Sequence, residues 1–211
     1  QAVNQGFVDV PTPNVGALSL YQPDTGPPTI FLGSKGIGVY KSVGGDPAQI
    51  NWQSINDGLP AFFGTVIFQL VDVVVMEPHP TKPTFQYGAA TGACNLPVFC
   101  TGDSGLNYEP GVWRREDPNN WLQLGHDGLR EYDPQANSPD VSTGLTNMQV
   151  FDLVFDPSNS EALYAATGDG VYRSTDEGFS WSKYDAGLPG SVEAHVLAMH
   201  PAKLFLGTNQ G

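Results

Sequence analysis

The segment Tyr164–Pro189, YAATGDGVYRSTDEGFSWSKYDAGLP, recurs twice upstream in decayed form. A repeat of this length restricts the chain to a row of similar small units that bury their faces against one another. Within the unit, residues alternate with a period of two over Leu163–Ala166, Gly170–Arg173 and Ser180–Tyr184, which predicts three short strands joined by tight turns. Phe31–Ser42 aligns without a gap on Leu163–Ser174, and Trp52–Pro60 matches Trp181–Pro189. The second copy starts at Tyr87-Gly-Ala-Ala-Thr-Gly92, resumes at Gly111–Arg114 and ends with Trp121–Leu129. Ahead of each unit an apolar run ends near a proline: Ala17–Pro23, Val73–Pro80, Phe151–Pro157 and Ala194–Pro201. Such runs suit strands buried on both faces. The expectation is an all-β fold of four-stranded units.

The turn of the third unit is Ser174-Thr-Asp176-Glu-Gly178-Phe-Ser180-Trp181. Ser174 and Asp176 can accept hydrogen bonds from N–H groups inside the turn. Gly178 can take a left-handed conformation, and Trp181 can fold its ring over the hairpin as a local core. This S-x-D-x-G-x-[ST]-W pattern resembles the Asp-box, or BNR repeat, of a class of β-propellers that includes sialidases, sortilin-type receptors, xyloglucan-active glycoside hydrolases and a photosystem II assembly factor. The upstream turns depart from it, the one between Ser42 and Trp52 being three residues too long and the one between Arg115 and Trp121 one too short.

The resemblance implies a propeller, with Ser174, Asp176, Gly178 and Trp181 serving structure at the periphery of a blade. Blade one is expected over about 15–60 and blade two over about 61–129, with an insertion at 92–110. Blade three follows over about 147–189, and a fourth begins at 191–211. Residues 6–10 read as an outer strand of a preceding blade. Three complete blades with partial ones at each end predict a partial propeller, the alternative being a compact four-bladed ring. The chain opens at Gln1-Ala-Val-Asn without a signal-peptide pattern, which fits a mature N-terminus or a cut inside a longer protein.

A net charge of −13 and a pI near 4.3 disfavour nucleic acid or an anionic membrane as partner. No apolar run is long enough for a membrane helix, since Val66–Met76 is interrupted by Gln69 and Asp72. Cys94 and Cys100 lie close enough to bridge a small loop, which points to an oxidising compartment and an exported protein. The four histidines, His79, His126, His195 and His200, lack metal-ligand spacing, so no metal is expected. The loops Gly102–Ser104 and Asp133–Asp140 are acidic but match no defined calcium pattern. No phosphate loop, dinucleotide fingerprint or nucleophile elbow is present, and no cofactor is expected.

A sialidase-like site needs arginines converging on a sugar carboxylate. Here the arginines are Arg114, Arg115, Arg130 and Arg173, and Arg114 and Arg173 hold equivalent repeat positions that suit a blade feature. The Trp-x5-Gly-Leu-Pro endings are similar to those of the xyloglucan-type glycosidases, which work with two carboxylates across a cleft. Asp72, Asp152 and Glu193 are the candidates near the axis. Counted back from Pro80, Pro157 and Pro201, Asp72 and Glu193 share a register that Asp152 does not. The favoured reading is a non-enzymatic exported propeller that binds a protein or glycan partner. The alternative is part of a carbohydrate-active enzyme of the glycoside hydrolase type.

Overall fold

The computed structural model describes residues 14–34, 38–44, 50–57, 59, 61–63, 68–70, 72–82, 84–91, 111–116, 121–124, 149–190, 192–200 and 203–210. The first sheet contains β1 (Val15–Tyr21), β2 (Thr29–Ser34), β3 (Gly38–Val43) and β4 (Asn51–Ser54), in that order. A hairpin of β5 (Ala61–Phe63) and β6 (Phe68–Leu70) precedes the second sheet, which holds β7 (Asp72–Pro78), β8 (Phe85–Thr91), β9 (Gly111–Glu116) and β10 (Trp121–Leu124). The third comprises β11 (Val150–Asp156), β12 (Asn159–Thr167), β13 (Gly170–Ser174) and β14 (Ser182–Lys183), and β15 (Ala194–His200) pairs with β16 (Lys203–Thr208). Every pairing is antiparallel.

The first strands of successive sheets lie side by side, β1 on β7, β7 on β11 and β11 on β15. The sheets are therefore blades of a partial β-propeller, each an up-and-down meander outward from its first strand. Each of these inner strands carries a bulge at the same place: between Val15 and Ala17, Val73 and Val75, Val150 and Asp152, and Ala194 and Val196. A bulge bends a strand and increases its local twist. Its recurrence also fixes the equivalence of positions from blade to blade.

Among the described residues the apolar clusters do not form one central core. Apolar side chains gather at the three blade junctions instead. Ala17, Phe31, Val39, Ile55 and Leu59 of blade one meet Val73, Met76, Trp113 and Trp121 of blade two. Val75, Tyr87, Ala89 and Val112 of blade two meet Val150, Leu153, Phe155, Leu163, Tyr172 and Trp181 of blade three. Tyr164, Ala166 and Val171 then meet Ala194 and Leu197 of blade four. Stability in such a row is a sum over units and nearest-neighbour junctions.

Two expectations need correction. The outer strand anticipated over Ser180–Tyr184 shrinks to Ser182–Lys183, because the Asp176 carboxylate takes the Ser180 N–H at 2.8 Å and its hydroxyl at 2.5 Å and holds that residue in the turn. The compact four-bladed ring is not formed either. Leu18 and Leu20 on β1, and Val196 and Phe205 on the β15–β16 pair, stay exposed instead of meeting. The strand expected at 6–10, the insertion 92–110 with Cys94 and Cys100, the loop 130–146, both acidic loops and His126 lie outside the described residues.

Close approach at the first junction gives one direct test. A Cβ at Gly33 would sit 2.7 Å from Val73 Cγ1 and 3.1 Å from Ala17 Cβ, whereas at the equivalent Gly207 its closest neighbour would be Val196 at 3.7 Å. Gly33→Ala is expected to destabilise the fold by about 1–3 kcal/mol through overpacking, and Gly207→Ala to leave the denaturation midpoint nearly unchanged. Equal midpoint shifts for the two would contradict this packing.

Candidate functional site

The inner strands place two acidic side chains near enough to interact, Glu77 between blades two and three and Asp152 between blades three and four. Asp152 sits at the β11 bulge. Its Oδ1 accepts the Leu153 N–H at 2.9 Å and its Oδ2 the Leu197 N–H of β15 at 2.7 Å, tying blade three to blade four. Glu77, on β7, takes a main-chain hydrogen bond from Phe155 of β11 and so ties blade two to blade three. Burial, then the charge of Asp152, pushes the Glu77 carboxyl up to about 7 against the pull of that bond. Burial also raises Asp152, opposed by its bonds from Leu197 and Leu153. Near neutral pH, Glu77 is thus divided between its acid and its carboxylate forms.

Sequence reasoning missed Glu77, although a signal was there. It is the one carboxylate in the apolar run Val73–Pro80, and a charge in a doubly covered strand needs a partner. Of the other two candidates, Glu193 does not join the pair, and the side chain of Asp72 lies outside what the structure describes. Asp72 opens β7 opposite Thr91, and Glu193 precedes β15, where its carbonyl accepts the Asn209 N–H at 3.2 Å. Both correspond to Gln149 in blade three, three residues before Asp152. Glu193 is exposed, with the His195 Nε2 at 3.3 Å and the His195 ring stacked on Phe151 at 4.7 Å.

A second polar cluster lies away from the inner strands, at the Ser174–Trp181 turn. Ser174 Oγ donates to Asp176 Oδ1 at 2.7 Å and accepts the Gly178 N–H at 2.8 Å, while Trp181 Nε1 donates to the Gly178 carbonyl at 2.8 Å. Burial works against ionisation of Asp176, but the bonds from Ser180 and Ser174 hold its carboxyl below the ordinary value. Gly178 has φ 90° and Glu177 φ 59°. This left-handed pair turns the Glu177 side chain towards blade two. Its carboxylate is paired with Lys82 Nζ and lies 3.6 Å from Arg114 Nη1, and its carbonyl accepts the Tyr87 hydroxyl at 3.2 Å.

Arg114 also covers the rings of Phe179 at 4.4 Å and Phe85 at 5.3 Å. His79, fully buried beneath this cluster, accepts the Thr81 and Lys82 N–H groups at Nδ1, at 3.2 and 3.0 Å, so its proton resides on Nε2. Arg173, equivalent to Arg114 in register, lies over Tyr164 at 5.7 Å. The two arginines therefore serve successive junctions and do not converge. Among the described residues no group of three His, Cys, Asp or Glu side chains is placed to hold a metal.

No protein-family model matches the chain, and no curated protein matches it. Solved structures do align over 99% of it. One is an ancestral GH74 enzyme, at 17% identity and TM-score 0.49, with 28% of that protein covered. Another is the GH74 xyloglucanase from Xanthomonas campestris, at 14% identity and TM-score 0.45, with 35% covered. The chain spans about a third of the length of these structures. The blade assignment above rests on strand register and not on this likeness.

Proposed function

We propose that this chain is a binding propeller of the Asp-box type from an exported protein, with blades that form a scaffold for a protein or glycan partner. The observation that carries this reading is the engagement of Glu77 and Asp152 with main-chain N–H groups of the following blade. A glycosidase sets one carboxyl as acid and another as base or nucleophile on either side of a scissile bond. Carboxyls fixed to strand N–H groups between blades serve the frame instead. Ser174, Asp176, Gly178 and Trp181 serve it too, through hydrogen bonds that close on one another within the turn. Export rests on the Cys94–Cys100 pair, and a gain of two hydrogens in intact mass on reduction is the expected outcome for a bridge.

One observation favours the enzyme reading. A carboxyl raised to about 7 beside a second carboxyl is the kind of pair that acid–base chemistry uses. The two readings separate in one experiment, in which the chain is tested on soluble xyloglucan and other β-glucans by affinity electrophoresis and by reducing-end release. Binding without new reducing ends is the expected result. Release that disappears in both Glu77→Gln and Asp152→Asn would replace the scaffold reading with a glycoside hydrolase.

A further inference from the structure

Counted from the bulge in each inner strand, His79 after β7 and Asp156 at the end of β11 hold the same position. Both side chains fold back and accept N–H groups of the loop that follows. Asp156 Oδ1 takes the Ser158 N–H at 2.9 Å and the Ser158 hydroxyl at 2.6 Å. His79 Nδ1 takes the Thr81 N–H at 3.2 Å and the Lys82 N–H at 3.0 Å. The two acceptors differ in what acid does to them. Hydrogen bonds from Ser158 hold the Asp156 carboxyl below its ordinary 3.8, so it goes on accepting in mild acid. An imidazole already protonated at Nε2 can take its second proton only at Nδ1, and an imidazolium accepts no hydrogen bond.

The surroundings of the His79 ring come from five other elements. Phe85 and Tyr87 of β8 and Phe155 of β11 enclose it, with Phe155 edge-on at 5.0 Å. Arg114 of β9 and Lys82 of its own loop bring positive charge towards it. Its Nε2 faces the Ser160 carbonyl of β12 and lies 4.0 Å from Glu177 Oε1 of the Ser174–Trp181 turn, without completing a hydrogen bond to either. Glu177 is paired instead with Lys82 Nζ. We propose that His79 is an acid-sensitive catch on the β7–β8 loop, and that a proton at Nδ1 releases the loop.

The incoming proton meets two N–H groups pointing at the same nitrogen, so Thr81 and Lys82 must withdraw. The Thr81 hydroxyl, 3.5 Å from Nδ1, can accept the new N–H only after they do. Lys82 moves with the loop, and Glu177 loses that partner just as the ring facing it gains a positive charge. Blade three is therefore tied to blade two through Lys82 at neutral pH and through His79 in acid. Burial opposes the charged ring and puts release below the ordinary 6.5, Glu177 favours it, and Lys82 and Arg114 oppose it.

NMR on the 211-residue chain from about pH 8 to pH 4.5 tests this, following the His79 ring nitrogens together with the protection of main-chain amides from hydrogen exchange. Protection of the Thr81 and Lys82 amides should fall at least about tenfold along the His79 titration, while the Ser158 amide keeps its protection. Glu177→Gln removes a charge that favours the imidazolium and should move both changes to lower pH. Lys82→Gln keeps its main-chain N–H but removes an opposing charge, and should move them to higher pH. Thr81 and Lys82 amides that stay protected down to pH 4.5 would overturn the proposal, whether or not the ring titrates. Loss of protection shared by Ser158 would overturn it in favour of general unfolding, and shifts of one sign in both variants would overturn the exchange of partners at Glu177.

Discussion

Trp181→Ala is expected to lower the unfolding free energy by about 3–5 kcal/mol, the range for removing a large aromatic from a packed site. Trp181 lies in the junction of blades two and three with Val75, Tyr87, Leu153 and Phe155. Its ring fills space that neither blade can close alone, and its Nε1 holds the Gly178 carbonyl at 2.8 Å. Truncation therefore opens a cavity and leaves a buried acceptor without its donor, two costs that add. Because junctions couple only neighbouring blades, the damage should be local: the middle of the row loosens while the first junction keeps its packing. Trp52 holds the matching place in the first repeat but is only half-buried and joins none of the three apolar clusters. Trp52→Ala should cost about 1 kcal/mol. Urea denaturation of both variants decides the matter, and equal losses would refute the assignment of Trp181 to a junction core.

That contrast also marks how far the sequence could be read. The gapless alignment of Phe31–Ser42 on Leu163–Ser174 is one residue out in β2, where Phe31 opposite Lys41 takes the place of Tyr164 opposite Arg173 and not that of Leu163, but it finds the strands of both hairpins. Composition and spacing suffice for this, because strand period and turn residues are local properties. The bulge in each inner strand is not local. It inserts a residue into a run that is apolar on both faces, so alternation carries no mark of it, yet it decides which residues face which neighbour. Asp152 was visible as an acid near the axis, but its bond to Leu197, 45 residues away, depends on how blades stack. Glu177 was hidden for another reason. It fills a variable position of the turn pattern, and only the junction reveals that it reaches Lys82 and Arg114. Trp52 and Trp181 look alike in sequence because the motif records the hairpin and not what packs on it.

The pH dependence of stability follows from Glu77 with a definite sign. Its carboxyl titrates at about 7 in the fold against an ordinary value of 4.5. Between those values the folded chain holds a proton that the unfolded chain has released, so rising pH favours unfolding. The contribution is fully present below 4.5 and lost as pH passes 7, and the interval is worth about 3 kcal/mol. His79 acts in the opposite sense. Burial lowers its pKa from 6.5, so acidification below that value favours the unfolded chain, where the ring can charge. Glu77→Gln separates the two. The amide oxygen can still accept the Phe155 N–H, and no proton has to leave. At pH 8 this variant should be more stable than the parent by up to about 3 kcal/mol, with the difference gone at pH 4.5. Asp152→Asn removes the second cause of the Glu77 shift, so carboxyl titration followed by NMR should then place Glu77 below 7. A parent and a Glu77→Gln variant whose urea midpoints stay parallel from pH 4.5 to 8 would mean that Glu77 titrates in the fold as it does in the unfolded chain. Its burial between β7 and β11 would then have to be compensated by a charge that neither Phe155 nor Asp152 provides.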